Sequence, residues 1–329
     1  MNIARLQRID PEEKAAAMMR SPLGRAVATI AAGSRMSARE LAVPETSIWL
    51  CVEASDDIEV WNAVRDEIRT FLEREAPKHE GFLHEILAQP SVSWWFEPMD
   101  RERQVWVSRD GSPPSADSLV APSEPPTRWE RYALKPTRWL FTSTQIGDIS
   151  PMAAAIDFGV GDLRMGNKKP PYAVWRMNVD ESARIFEIHS PSDWHRLCIE
   201  YPAEGNSGRH AGNEPDFSRD AGKLVPDWSK VAHDWDAVHL SFGGYLTSEQ
   251  VRVESEHGWT YHWAWDHEGT LWLRWMFDGY ERLEDYQPER SGRHHFDYSL
   301  FFAVMDSGEL SDAVSRGSLS PLTLYRRRD

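Results

Sequence analysis

Sixteen tryptophans in 329 residues, together with 12 phenylalanines and 9 tyrosines, constrain this chain more than any other feature of its sequence. Large rings leave water only when they pack in a core or line a concave surface, so most of them require an extensive core. A chain of this length is able to form one. For the pair Trp94-Trp95 and the series from Trp259 to Trp275, an alternative is a pocket that accepts a flat aromatic ligand.

The net charge of the chain limits the classes of partner that we expect it to bind. Asp and Glu exceed Lys and Arg by 52 to 37, a net charge of −15, so the surface as a whole does not attract phosphate backbones. An apolar run of about 18 residues is absent from the sequence, which excludes a transmembrane helix. Because Met1 to Arg20 is rich in charge and lacks an apolar centre, we expect no signal peptide and a cytoplasmic location. The partner is expected to be a small molecule or a protein rather than a nucleic acid or a membrane.

Cysteine and histidine spacing gives little support for redox or metal chemistry. Cys51 and Cys198 lack a CxxC partner and are expected to be buried, inert thiols. The histidines form two groups, neither with zinc-finger or HExxH spacing, so we expect no metal: His257, His262 and His267 in one, and His294-His295 with Asp297 in the other. Nucleotide-binding glycine loops of the GxGxxG and Walker A types are also absent from the sequence.

The first 90 residues form a mostly helical region by sequence pattern. Pro11 to Ala42 predicts two short helices, with Ser21-Pro22 as a helix start, and apolar spacing from Ile58 to Leu72 predicts a longer one. The apolar run from Thr46 to Ala54 predicts a buried strand. A second domain is expected over residues 91–329.

Short strands outnumber helices in this second region, which predicts an α+β fold. Six prolines between Gly111 and Pro136 indicate an irregular loop. Helices are predicted over Pro191–Tyr201 and Trp228–Asp234, and a short helix or a turn over Ile149–Asp157. Strands are predicted over Val92–Glu97, Gln104–Ser108, Trp139–Thr144, Tyr172–Val179, Ala183–Ile188, Ala237–Leu240 and, as one or two strands, Thr260–Phe277.

Three consecutive hydroxyl residues end one of these strands. The segment from Lys135 to Thr144 reads KPTRWLFTST, so Thr142, Ser143 and Thr144 close an apolar strand. Such hydroxyls are able to hold a carboxylate or a ribose. An ordinary strand end rich in threonine explains the same residues.

Two carboxylates lie in an aromatic segment, WAWDHEGTLWLRW, from Trp263 to Trp275. If it is one strand, Asp266 and Glu268 face the same side. Two carboxylates among tryptophans are costly unless they are partnered, and that cost indicates function. The alternative is a solvated turn between two strands. A third segment, VWVSRDG, places Arg109 at a strand end, where its planar fork suits a diphosphate.

In chain order, VWVSRDG, KPTRWLFTST and WAWDHEGTLWL resemble the motifs of the ADP-ribosyltransferase-like superfamily. Those motifs are an Arg or His at a strand end, a Ser-Thr-Ser type strand, and a Glu on a late strand. The last two segments also resemble a bacterial set with a Lys-Pro and Thr-Ser strand followed by Trp-Asp-x-Glu. The resemblance covers about Val92 to Phe277, and its first-motif residue is Arg109, Ser108 or Arg103.

The resemblance implies a split β-sheet core that cleaves NAD as a substrate, by transfer of ADP-ribose or by hydrolysis. In that chemistry positive charge develops on the ribose, as in glycoside cleavage. Glu268 would bind the ribose, and Asp266, two residues earlier, would face the acceptor. The other implied contacts are Arg109 to the diphosphate, Thr142, Ser143 and Thr144 to Glu268 and the ribose, and Trp139 or Trp265 stacked on nicotinamide.

Two other functions fit the same residues. A non-catalytic module would use the tryptophan-rich strands as a recognition face. A glycoside-type hydrolase would use Asp266 and Glu268 as its two carboxylates. Ser143 as a hydrolase nucleophile has little support, because a GxSxG motif does not surround it.

Overall fold

The computed structural model describes residues 10–59, 65–108, 111–116, 119, 140–158, 171–203, 222–262, 265, 267–287, 296 and 300. Within the chain, contacts divide residues 10–92 from residues 93–293, giving two compact units. The described elements are helical in the first unit and mixed α and β in the second. The α+β class predicted from the sequence is therefore confirmed.

Helices make up the described part of the first unit. They begin with clear sequence signals: Ser21 accepts a hydrogen bond from the Gly24 amide ahead of Pro22, and Ser37 forms a capping box with Glu40. The α-helices are α1 Pro11–Met18, α2 Pro22–Gly33, α3 Ala38–Leu41, α4 Pro44–Glu59, α5 Arg65–Glu75 and α6 Glu80–Leu87, with a 3₁₀ helix at Ala76–His79.

The strand predicted over Thr46–Ala54 is wrong, because these residues belong to α4. Ile48, Leu50 and Val52 are all buried, so this helix is covered on most of its circumference. A continuous apolar run of that kind does not distinguish a buried strand from a buried helix. The sequence does contain the correct signal, since Pro44 occupies the first helical turn and Glu45 follows it.

A seven-stranded sheet organises the second unit. Its order is β4-β5-β8-β2-β1-β3-β9, antiparallel except for the parallel pair β4 and β5. A separate hairpin joins β6 and β7. The strands are β1 Gln104–Ser108, β2 Leu140–Thr144, β3 Ala173–Val179, β4 Ile185–Ile188, β5 Ala237–Leu240, β6 Arg252–Ser255, β7 Gly258–Tyr261, β8 Gly269–Trp272 and β9 Phe277–Arg282.

In the described part of the second unit, four α-helices accompany these strands. The helices predicted over Pro191–Tyr201 and Trp228–Asp234 are confirmed, and Ile149–Asp157, predicted as a short helix or a turn, overlaps a helix. The four helices are α7 Pro151–Phe158, α8 Pro191–Glu200, α9 Trp228–Asp234 and α10 Phe242–Ser248. Ser190 caps α8 by accepting from the Asp193 amide, as the Ser-Pro start predicts.

The strand predicted over Val92–Glu97 is wrong, because Pro90–Phe96 forms a 3₁₀ helix. The two tryptophans there are adjacent and do not alternate with polar residues, so the period of a half-buried strand is missing. Trp95 is buried, and its ring packs against Phe242 with centroids 5.2 Å apart. β1 pairs instead with β2 and β3.

Aromatic rings fill the cores as their number predicts. Buried rings of the second unit include Trp194, Trp228, Trp259, Trp265 and Trp272. Both cysteines are buried, and burial raises the pKa of the Cys198 thiol. In the described residues, helices long and apolar enough to cross a membrane are absent.

Candidate functional site

Glu268 lies directly before β8, where its carboxylate meets the end of the neighbouring strand β2. Ser143 Oγ donates to Glu268 Oε2 at 2.7 Å, and Thr144 Oγ1 donates to Oε1 at 2.8 Å. The Thr144 amide lies 3.2 Å from both oxygens. The side chain of Glu268 is 2% exposed. Two of the three terminal hydroxyls of β2 thus hold a buried carboxylate in place.

The two carboxylate oxygens of Glu268 differ in the hydrogen-bond partners that they have. Oε1 accepts from the Thr144 hydroxyl and faces His239 Nε2 at 3.3 Å, whereas Oε2 has the Ser143 hydroxyl and a share of the Thr144 amide. A carboxylate oxygen accepts about two hydrogen bonds. Oε2 therefore retains room for a further donor, such as a ligand hydroxyl.

Ser143 is held at both ends of its hydroxyl. It donates to Glu268 and accepts from the Met152 amide at 3.2 Å, at the start of α7. A nucleophilic serine needs a base that takes its proton, and the pKa of Glu268 is lowered, so this carboxylate is a weak base. The geometry favours Ser143 as a support for Glu268 over a nucleophile.

Thr142 does not contact Glu268 but belongs to a chain of hydrogen bonds that ends there. Trp272 Nε1 donates to Thr142 Oγ1 at 2.8 Å, and Thr142 donates to Gln104 Oε1 at 2.6 Å. Gln104 Nε2 then donates to Thr144 Oγ1 at 3.2 Å, and Thr144 donates to Glu268. Every donor in the chain points toward the carboxylate, so each bond polarises the next in the same direction.

Gly269 permits the close approach of β2 to the residue that follows Glu268. A Cβ atom at this position would lie 2.2 Å from the Phe141 ring and 2.8 Å from the Thr142 carbonyl oxygen. The second of these is backbone of a paired strand and has little freedom to move. The Glu-Gly sequence therefore has a steric cause at this site.

Charge at Glu268 is set by a buried histidine. Burial alone would lower the pKa of His239, but Glu187, whose Oε2 lies 2.7 Å from Nδ1, and Glu268 outweigh burial and raise it to about 9. Burial would likewise raise the pKa of Glu268, but the hydrogen bond and charge of His239 and the two hydroxyls lower it overall. These shifts favour an imidazolium between two carboxylates at neutral pH.

A pocket of about 280 Å³, including its open mouth, lies beside Glu268 within the second unit. It combines an aromatic wall with charged groups, the mixture that small-molecule sites use. The rings of Trp94 and Phe242 lie 4.7 Å apart in that wall. The lining consists of Trp94, Glu97, Pro98, Asp100, Arg103, Thr144, His239, Ser241, Phe242 and Glu268.

The residues predicted from the sequence fall into three groups. Ser143, Thr144 and Glu268 come together, and Thr142 supports them from behind. Trp265 is 0% exposed and lies outside the pocket lining, with its ring edge-on to Phe141 and Trp194. Asp266, Arg109 and Trp139 lie outside the described residues.

The structure also distinguishes between two of the three candidates for the first-motif residue. Ser108 is buried on β1, whereas Arg103 lines the pocket. Arg103 Nε donates to Asp100 at 2.6 Å, and in the described part of the chain its two terminal amino groups have no partner.

Sequence patterns did not identify Gln104, Glu187, His239 and Phe242, whereas they did indicate Trp94, as part of a pair that is able to line a pocket for a flat aromatic ligand. A signal existed for two of them, because Glu187 and His239 are single ionisable residues inside the apolar strands IFEI and AVHL. Such residues are buried only when they are paired. The two residues are 52 positions apart, so the sequence does not show that they pair with each other.

The remaining histidines do not gather into a metal site within the described ranges. Groups of three or more His, Cys, Asp or Glu side chains with ligand geometry are absent from those residues. His262 instead forms a fully buried pair with Glu249, with Nδ1 3.2 Å from Oε2. His294, His295 and Asp297 lie outside the described residues.

Comparisons with protein-family models, with curated proteins and with solved structures give no match to this chain.

Proposed function

We propose that this protein cleaves NAD at the bond between nicotinamide and ribose, with transfer of the ADP-ribosyl group to an acceptor or to water. The observation that carries the proposal is the buried Glu268 carboxylate at the pocket, held by Ser143 and Thr144 from the adjacent strand. These are the residues through which the sequence resembles the ADP-ribosyltransferase-like superfamily.

The reaction requires stabilisation of positive charge on the ribose. As the C1′–N bond breaks, its electron pair moves to nicotinamide, which leaves as a neutral ring, and the ribose becomes oxocarbenium-like. The 2′-hydroxyl of the ribose would donate to Glu268 Oε2, a bond that strengthens as the charge develops. An acceptor hydroxyl or amine, or water, then bonds to C1′ and releases its proton to a base or to solvent.

The pocket suits one half of this substrate. Glu268 lines the pocket, which is open to solvent, so the nicotinamide ribose would lie there and the ADP half would lie outside. Trp94 and Phe242 offer an aromatic wall for the nicotinamide ring. Arg103, at the same pocket, offers two amino groups to the diphosphate.

The strand order supports an ADP-ribosyltransferase-like split sheet as the fold of residues 91–329. β8 begins directly after Glu268, β2 ends in the hydroxyls, and β1 leads toward Arg109; these strands are adjacent in the order β8-β2-β1. The segments that hold Ser143 and Glu268, 125 residues apart in sequence, are thereby brought side by side, and the register pairs Thr144 with Gln104 at the start of β1, next to Arg103.

The acceptor is proposed to be a small molecule or a protein. A net charge of −15 favours cationic or amine-bearing groups over nucleic acid. Asp266, two residues before Glu268, would orient such a group or take its proton.

The test is to incubate the full chain with NAD and measure released nicotinamide and ADP-ribose. Glu268→Gln keeps the size of the side chain but removes its charge, so release is expected to fall by roughly two orders of magnitude or more. Glu281→Gln is the matched control, because that side chain is 64% exposed on β9 and is expected to change nothing. Quenching of tryptophan fluorescence by NAD without release of nicotinamide would support a binding module instead. Absence of both quenching and release would overturn the proposal.

A further inference from the structure

Three ionisable side chains lie in a row across the sheet and end at Glu268. Glu187 and His239 are register partners on the parallel strands β4 and β5, and Glu268 precedes the next strand, β8. His239 Nδ1 lies 2.7 Å from Glu187 Oε2, and its Nε2 lies 3.3 Å from Glu268 Oε1. The imidazole ring thus bridges the two carboxylates.

Burial makes this row costly unless its charges balance. Side-chain exposure is 8% for Glu187, 3% for His239 and 2% for Glu268. Two buried carboxylates separated by a neutral ring would repel each other and lack solvation, whereas an imidazolium donates one hydrogen bond to each. The geometry therefore favours a protonated His239.

One further group around Glu187 reinforces its ionised form, and a second histidine lies nearby. The Met99 amide donates to Glu187 Oε1 at 3.1 Å, and His189 Nε2 lies 3.7 Å from Oε2. Burial lowers the pKa of His189, whose Nδ1 lies 2.9 Å from Ser241 Oγ, so this ring is the neutral one of the two histidines. The charged groups at the pocket on the far side of Glu268 are Glu97, Asp100 and Arg103.

We propose that Glu187 and His239 are positioning residues for Glu268: Glu187 keeps His239 protonated, and His239 fixes Oε1 so that Oε2 faces the ligand. The proposal rests on the proposed function for its catalytic consequence only. Glu268 then stays ionised over the neutral range, and the arrangement is lost at alkaline pH, when His239 loses its proton.

The experiment measures the ionisation of His239 without NAD. Ring ¹⁵N signals of the labelled full chain are recorded across the pH range, and the His239 signal is assigned by its disappearance in His239→Gln. The expected result is a doubly protonated ring at neutral pH. A singly protonated, neutral ring at neutral pH in the unmutated protein would overturn the proposal, whether or not any variant folds.

Glu187→Gln is the decisive variant, since it keeps the shape but removes the charge. The midpoint of the His239 titration is expected to fall by at least about one pH unit, with Glu281→Gln as an unchanged control. The alkaline limit of nicotinamide release should fall by the same amount, which a merely structural role would not produce. An unmoved His239 midpoint in folded Glu187→Gln overturns the proposal. Unmoved activity limits with a shifted midpoint overturn its catalytic part, and absence of any nicotinamide release overturns only the proposed function.

Discussion

The Ser143 hydroxyl donates a 2.7 Å hydrogen bond to Glu268 Oε2 across 125 residues of sequence, while it accepts from the Met152 amide. A single side chain therefore connects the end of β2, the start of α7 and the residue before β8. Because the hydroxyl both donates and accepts a hydrogen bond, the fold fixes the position of Ser143. Ser143 in turn fixes the carboxylate of Glu268.

Ser143→Ala tests this relationship. The variant removes one donor from the carboxylate and leaves the Met152 amide without its acceptor, so we expect a loss of about 1–3 kcal/mol in the free energy of unfolding. Nicotinamide release is expected to fall about tenfold, the effect of about 1.4 kcal/mol on the barrier. Urea unfolding and product assay at equal protein concentration measure the two effects. Complete loss of activity in a folded variant would instead indicate a nucleophilic serine.

Gln104→Met tests the chain of donors behind Thr144. Gln104 Oε1 accepts from both Thr142 and Thr270, and its amide donates to Thr144, so the apolar replacement removes the acceptor of two buried hydroxyls. We expect a loss of about 2–3 kcal/mol in unfolding free energy and a several-fold lower turnover. Gln89→Met, at a half-buried residue of the first unit whose side-chain hydrogen bond is exposed to solvent, is the control. Equal stability of the two variants would show that the chain contributes nothing.

Local signals were sufficient for several parts of this structure. Ser190-Pro191 predicted the start of α8, and alternation predicted β3 and β4, because capping and side-chain period are properties of neighbouring residues. The buried run in α4 was misassigned because its packing partners, not its own pattern, select helix over strand.

Only part of the candidate site could be predicted from the sequence, for the same reason. Three hydroxyls at a strand end and a carboxylate among tryptophans each indicated a partner, and the structure brings Ser143, Thr144 and Glu268 together. Glu268 itself lies in a bend before β8 rather than within a strand, so strand alternation does not govern its direction. The bridge from Glu187 through His239 depends on the pairing of β4 with β5. This pairing joins residues that are 52 positions apart in sequence, so no local pattern predicts it.

Asp157 gives a pH-dependent prediction independent of the site. It is buried on α7, its Oδ1 has no hydrogen-bond partner in the described structure, and burial raises its pKa from 3.8 to about 6. The folded state therefore binds more protons than the unfolded state in that window. The stabilising contribution is complete below pH 3.8 and is lost as the pH rises through about 6.

Asp157→Asn removes this titration. We expect the variant to exceed the unmutated protein in unfolding free energy by about 1–3 kcal/mol at about pH 7.5, with the difference shrinking toward about pH 4.5. Asp148→Asn, at an exposed position just before α7, is the control. A difference independent of pH would show that Asp157 is already solvated or paired when ionised.

The choice between Arg103 and Arg109 for the diphosphate gives the last prediction. Arg103 lies at the pocket, with its Nε directed to Asp100 and its two terminal amino groups available in the described chain. A guanidinium holds a diphosphate by two parallel hydrogen bonds, which the single ammonium of lysine cannot reproduce although the charge is retained. We therefore expect Arg103→Lys to raise the Kd for NAD about tenfold, or about 1.4 kcal/mol, as measured by tryptophan fluorescence. Arg109→Lys is the paired variant, because the sequence resemblance assigns the same role to Arg109. Weakened binding in Arg109→Lys with unchanged binding in Arg103→Lys would move the diphosphate contact to the end of β1.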